Sequence, residues 1–251
     1  MDSHALSFGA VADAYERGRP GYPVAAAEWL LPEHASRVVD LGAGTGKFTR
    51  VVAPLVARTP GAETIAVEPD PAMRAQLEDR VPGVRVLDGS GEHVPLPDAS
   101  VDAVVAAQAW HWVDPVVASR EVARVLRPGG VLGLVWNIRD DRVPWVRELS
   151  EIMAQPEEHA IEAVHPTVAE PFDAAAIETA DFRWVHEQDR NAFVDMVASR
   201  SYISTLGREA RGRVLDAVRH LLDTDPALAG RTTVPVPYTA HCFRMTLPSL
   251  R

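Results

Sequence analysis

The chain has 251 residues, with 25 Lys and Arg against 35 Asp and Glu and a formal net charge of −10. That length supports one large α/β domain, or one with a small lid. The acidic balance argues against nucleic acid as the main partner, because phosphate binding draws on a basic surface. The one cysteine, Cys242, excludes an intrachain disulfide framework and suits a reducing, cytoplasmic setting. It reads as a small apolar residue in a late strand rather than a reactive thiol. Met1 to Phe8 has neither a basic start nor an apolar core, and no run approaches ~20 uncharged apolar residues, so neither signal peptide nor membrane span is expected.

In chain order, strand-like runs at 37–41, 64–68, 84–87, 101–107 and 131–136 alternate with helix-length segments at 46–58, 70–80 and 115–126. Such alternation predicts a parallel sheet with right-handed crossovers. The runs are nearly all apolar, as expected when helices cover both faces. Pro54 should bend the first of those helices or shift its boundaries. Asp70 caps the second, with Pro71 at its first position. Pro128-Gly129-Gly130 ends the third and turns into the fifth strand. Beyond 140, helical spacing covers Arg147 to Gln155, Phe193 to Leu206 and Glu209 to Leu222. Arg183 to Glu187 and Val234 to Met245 read as the last two strands. Pro235 and Pro237 place part of the second at an edge or an entry to the sheet. The ligand is expected beyond the carboxyl ends of the strands, where Asp40, Glu68, Ser90 and Gln108 fall.

The first strand runs into Asp40-Leu41-Gly42-Ala43-Gly44-Thr45-Gly46. Alternate glycines let backbone approach a ligand where a β-carbon would collide, and the helix that follows offers unpaired N–H groups to an anion. A dinucleotide fingerprint needs glycine at 47, where Lys47 stands. A P-loop needs glycine at 41 and Ser or Thr at 48, where Leu41 and Phe48 stand. Asp40 disfavours a pyrophosphate and favours a ligand whose anionic end also carries an ammonium. S-adenosylmethionine has that profile. Glu68, about twenty residues past the glycines, stands at the spacing from which a carboxylate reaches ribose hydroxyls.

Four segments together resemble the class I S-adenosylmethionine-dependent methyltransferases of the type-11 group: Val39 to Gly46; Val67-Glu68-Pro69-Asp70-Pro71-Ala72-Met73; Gly89-Ser90-Gly91-Glu92 with Leu96-Pro97-Asp98 and Val101-Asp102; and Ala107 to Trp112 followed by Val125 to Gly130. Phe8 to Tyr15 with Arg19-Pro20-Gly21-Tyr22-Pro23 resembles the trans-aconitate methyltransferase-like subgroup. The resemblance implies an α/β, Rossmann-like, seven-stranded, mostly parallel sheet with helices on both faces. It implies an N-terminal cap over 1–34, a cofactor core over 35–139, and a lid insertion with the last strands over 140–251. It implies methyl transfer to a small-molecule acceptor by a monomer or homodimer, without nucleic acid, membrane or metal. The cofactor set it suggests is Asp40, Gly42, Ala43, Gly44, Gly46, Glu68, Pro69, Met73, Ser90, Gly91, Glu92, Gln108, Ala109 and Trp110, closed by Tyr15 and Arg19. Ser90 stands where the family commonly has an Asp for the adenine amino group.

Methyl transfer from a sulfonium needs positioning more than a nucleophile, and no nucleophile motif is found. His111 reads either as a proton acceptor beside the sulfonium or as a residue fixing the loop between Trp110 and Trp112. One of those two tryptophans is core packing, because adjacent side chains diverge. Gln108 lines the methionine end or ties down the loop backbone. Tyr22, Trp112, Asn137 and Arg139 are candidate acceptor contacts. Glu158, His159, Glu162 and His165 read as a solvated acidic face before a metal site. Two other functions stay open on sequence alone: a cofactor-binding regulatory or scaffold protein without turnover, and a nicotinamide oxidoreductase.

Overall fold

The computed structural model describes residues 20–153 and 165–248. Seven strands form one sheet: β1 (Arg37–Leu41), β2 (Glu63–Val67), β3 (Arg85–Leu87), β4 (Val101–Ala107), β5 (Leu126–Arg139), β6 (Glu178–Asp189) and β7 (Thr233–Thr246). Their order is β3-β2-β1-β4-β5-β7-β6. The first five run parallel, while β7 pairs antiparallel with both β5 and β6. The order reverses between β1 and β4, which puts the switch point at the carboxyl ends of those two strands.

Eight α-helices are described: α1 (Val24–Leu30), α2 (Thr49–Val56), α3 (Pro71–Arg80), α4 (Pro115–Val125), α5 (Pro144–Ile152), α6 (Arg190–Ala198), α7 (Ser201–Ser204) and α8 (Arg208–Thr224). One sheet face packs Val39, Ile65, Val104, Leu132 and Leu134 against Ala118 and Val122 of α4. The opposite face packs Val38, Val105, Val131 and Val135 against Ala26, Ala27 and Leu30 of α1 and Val52 and Val56 of α2. Gly133 is small because α1 sits on it: a β-carbon there would lie 3.1 Å from Leu30 Cδ2.

The sheet extends further than its sequence suggests. Strand β5 begins at Leu126 and is irregular where Val101 pairs with Leu126 and Ala103 with Val131. Both β6 and β7 are more than ten residues long, and β7 outruns β5, whose last partner is Tyr238. Pro235 and Pro237 lie beyond that point, where β7 has only β6 beside it, so a missing N–H breaks no ladder bond toward β5. On this overhang a separate apolar cluster forms, with Trp145 and Leu149 of α5, Phe193 and Val197 of α6, and Leu221 of α8 over Val234 and Val236.

Two helices differ from expectation. Helix α2 is confined to Thr49–Val56, with Pro54 inside it. The segment 193–206 is two helices: α6 starts earlier, where Asp189 accepts from the backbone N–H groups of Asn191 and Ala192, and it stops at Ala198. Cys242 is 1% exposed in β7, and burial, with Asp181 adding to it, pushes its thiol up to about 12. A thiol-specific aromatic disulfide should therefore leave native protein unlabelled at pH 8 and label it fully in denaturant. Stoichiometric labelling of folded protein would contradict this placement.

Candidate active site

Asp40, next to last in β1, is fully buried. Its Oδ2 accepts from Thr49 Oγ1 at 2.6 Å, while Oδ1 is buried with no hydrogen-bond partner. Burial pushes the carboxyl up to about 7, with the Thr49 hydrogen bond opposing and the nearby Glu68 charge adding. Thr49, nine residues on at the start of α2, is a partner that the motif did not announce.

The glycine turn is built on φ values of +66, +57 and +83° at Gly42, Gly44 and Gly46. A left-handed backbone is open to glycine at little cost. The three differ in what surrounds them. A β-carbon would meet Ala109 Cβ at 2.6 Å from Gly42 and Val81 Cγ2 at 2.8 Å from Gly46, whereas from Gly44 it would meet only Met73 Sδ, at 3.8 Å. Gly42 and Gly46 thus seat the turn on the β4 loop and on α3, and Gly44 leaves space. The Gly42 and Ala43 N–H groups both donate to Val67 O, tying the turn to β2.

Glu68 follows β2, 6% exposed. Its Oε2 accepts from Gly44 N and its Oε1 from Asp70 N, at 2.8 and 2.9 Å. Burial raises its pKa, and these two backbone hydrogen bonds oppose the rise. Asp70 in turn caps α3 through Ala72 N and Met73 N. Beside Glu68, Pro69, Asp88, Gly89, Ser90 and His93 line an open cleft of ≈ 430 Å³. Gly91 instead packs on Val113, with a β-carbon position 2.5 Å from Val113 Cγ1, and Glu92 Oε1 accepts from Asp114 N.

At the end of β4, Gln108 adopts φ +54°, a conformation that strains a side-chain-bearing residue. Its Nε2 donates to Asn137 O at 2.9 Å, so the side chain ties β4 to β5. Trp110 is buried with its indole N–H on Thr167 O, while Trp112 is 48% exposed. Trp136 Nε1 donates to His111 Nδ1 at 3.3 Å. Indole is a donor only, so the neutral His111 ring carries its own proton on Nε2. A base role for His111 would require the ring to leave Trp136.

The acceptor candidates are partly structural. Asn137 Nδ2 donates to Gly21 O at 2.7 Å, and its Oδ1 accepts from Trp184 Nε1 at 3.2 Å. Asn137→Ala would leave a part-buried carbonyl and a part-buried indole N–H unmet, each at a cost of up to about 1–3 kcal/mol. Thermal unfolding should show a midpoint lowered by roughly 5–15 °C; an unchanged midpoint would contradict the tie. Tyr22 packs edge-on against Phe48, ring centroids 4.9 Å apart, and Arg139 is buried at the end of β5. Tyr15, Arg19, Glu158, His159 and Glu162 lie outside the described residues. His165 stands with its ring 6.2 Å from Phe243. Among the described residues no group of three or more metal-ligating side chains comes together, and no helix is long and apolar enough to cross a membrane.

A parallel sheet with an antiparallel seventh strand, whose glycine turn lies between an acid near the end of β1 and an acid just after β2, is the class I methyltransferase architecture. The comparisons agree. A family profile described as a methyltransferase domain matches residues 39–134. The uncharacterized methyltransferase Rv3342 of Mycobacterium tuberculosis is 50% identical over 243 residues, 97% of this chain and 96% of that one. A malonyl-[acyl-carrier protein] O-methyltransferase of Dechloromonas aromatica is 36% identical over 134 residues, 49% of each chain. Among solved structures, a putative type II methyltransferase from Anaeromyxobacter dehalogenans superposes with a TM-score of 0.63 at 25% identity, covering 92% of this chain and 99% of that one. The chain belongs to this family of S-adenosylmethionine-dependent methyltransferases.

Proposed function

We propose that the chain moves the methyl group of S-adenosylmethionine to a small-molecule carboxylate or hydroxyl, with the methionine end at the Asp40 turn and the ribose at Glu68. The observation that carries this is Asp40 Oδ1, a buried carboxylate oxygen with no partner beside a glycine turn. An ammonium placed there would supply both the missing hydrogen bond and the missing counter-charge. Each Glu68 oxygen accepts one backbone N–H and keeps a second lone-pair site for a ribose hydroxyl. The cleft beside it suits the adenine. There Asp88, held by Arg74 Nη1 at 3.0 Å, offers the carboxylate that position 90 lacks.

When bound, the donor supplies an activated methyl on sulfur, so the chain's own contribution is alignment and exclusion of water, worth roughly 7–11 kcal/mol in well-oriented reactions. The name of the Dechloromonas relative, an O-methyltransferase acting on a malonyl group, supports a carboxylate acceptor. Trp112, half exposed beside His111, gives an acceptor an apolar flank.

The test is calorimetric titration with S-adenosylhomocysteine, followed by incubation with S-adenosylmethionine and a panel of carboxylic acids and phenols, measuring S-adenosylhomocysteine formed. Binding with acceptor-dependent turnover is expected. Binding without turnover on any acceptor would favour the regulatory reading, and binding of NADH alone would overturn the assignment.

A further inference from the structure

The sheet face that carries Trp136 continues across two antiparallel strands. Trp136 is directly opposite His241 in β7, and His241 is directly opposite Asp181 in β6. Directly opposite residues share a face with β-carbons about 4.5–5.5 Å apart, so the three side chains form a row. One end of that row is at the candidate site, where the Trp136 indole N–H reaches His111 Nδ1. At the other end His241 Nδ1 lies 2.8 Å from Asp181 Oδ1. An ionised carboxylate only accepts, so Nδ1 carries a proton, and in the neutral form of the ring the lone pair is on Nε2.

That lone pair is where the arrangement is incomplete. His241 Nε2 is buried and has no hydrogen-bond partner, although the side chain is only 13% exposed. A buried acceptor left unmet is rare in folded proteins. Aromatic rings stand along the same face: Trp136 meets Phe243 edge-on with ring centroids 5.7 Å apart, and the His165 ring lies 6.2 Å from that of Phe243. A carboxylate that orients the ring, a nitrogen with no partner and aromatic side chains along the same sheet face together describe a subsite for a ligand with an apolar body and a hydrogen-bond donor.

We propose that His241 Nε2 accepts a hydrogen bond from a hydroxyl on the methyl acceptor, with Asp181 as the positioning residue that keeps the proton on Nδ1. This rests on the methyltransferase reading with a small acceptor given above, and it selects hydroxyl-bearing acceptors, such as hydroxy acids and phenols, over acceptors without an O–H.

The experiment is nitrogen-15 NMR of the imidazole rings in the full chain saturated with S-adenosylhomocysteine, with His241 assigned through His241→Gln. Wild type should show His241 protonated at Nδ1 and bare at Nε2. Methanol, phenol and catechol are then titrated beside their methyl ethers. At least one hydroxyl compound should move the Nε2 resonance while its ether leaves it in place. Asp181→Ala should transfer the ring proton toward Nε2 and abolish that discrimination, with calorimetric binding of S-adenosylhomocysteine unchanged. A ring protonated at Nε2 in wild type, or equal responses to every alcohol and its ether, would overturn the proposal. Failure to bind S-adenosylhomocysteine at all would instead strike the cofactor reading, so the two failures are separable.

Discussion

Replacing Asp40 with asparagine is expected to remove most of the affinity for S-adenosylhomocysteine while making the cofactor-free protein more stable at pH 8. Both effects follow from one unpaired oxygen. In the cofactor-free chain, burial raises the Asp40 carboxyl to about 7. A carboxyl whose folded pKa lies above its unfolded value favours the folded state only while protonated. Its contribution is therefore fully present below pH 4 and is lost as pH rises through about 7. Asparagine is isosteric, keeps an acceptor for Thr49 and has no charge to bury, so its unfolding midpoint should stay level across that window where wild type declines. Binding behaves oppositely. Removing one partner of a buried charge pair costs about 3–5 kcal/mol, roughly two to four orders of magnitude in Kd. Wild-type affinity should also weaken as pH falls below about 7, because the ammonium must then displace a proton from Asp40; the asparagine variant should lack that part of the slope. An Asp40→Asn protein that binds as wild type does would detach Asp40 from the cofactor.

Alanine at Gly44 and alanine at Gly46 should fail in different ways. Both residues have positive φ, at +57 and +83°, so each substitution carries the left-handed cost of about 1–2 kcal/mol. At Gly46 the new methyl also meets Val81 at 2.8 Å and Leu77 at 3.0 Å, adding the roughly 1–3 kcal/mol of an overpacked core. Gly46→Ala should lower the unfolding midpoint by roughly 5–15 °C. At Gly44 only Met73 Sδ is near, at 3.8 Å, so the fold tolerates the methyl and the ligand meets it. Gly44→Ala should lose ~10-fold or more in S-adenosylhomocysteine affinity with a smaller change in midpoint. Equal losses of stability and of affinity in the two variants would show that Gly44 also serves packing alone.

The parallel half of the sheet was legible because its strands are short apolar runs that stop at an acid or a glycine, as Val38 to Leu41 and Ile65 to Glu68 do. The sequence also announced Asp40, Gly44, Met73 and Glu68, because each lies at or shortly after the carboxyl end of one of two adjacent parallel strands, β1 and β2, whose pairing brings them together. The antiparallel edge was harder to see. In β6 the exposed face carries Asp181, Arg183 and Glu187, which interrupt any apolar run, whereas β7 was read as Val234 to Met245, one residue short at each end, despite its two prolines. Helix α1 was absent from the expectation because Val24 to Leu30 offers only a short alanine-rich stripe without a cap. The break between α6 and α7 at Ser199 and Arg200 lies inside an unbroken helical spacing. Asp181 and His241 stand sixty residues apart and meet only through strand register, so no local pattern could have paired them. A backbone tie was one of the two readings open to Gln108, but its partner, and both partners of Asn137, were invisible for the same reason: they lie on other strands and segments.

A crystal structure of the full chain with S-adenosylhomocysteine, read at Asp40, is the decisive experiment for the ammonium site. The amine nitrogen should lie within hydrogen-bond distance of Oδ1, with Thr49 Oγ1 still on Oδ2 and the ribose hydroxyls on Glu68. An amine bound elsewhere, with Asp40 Oδ1 still buried and unmet, would contradict that site.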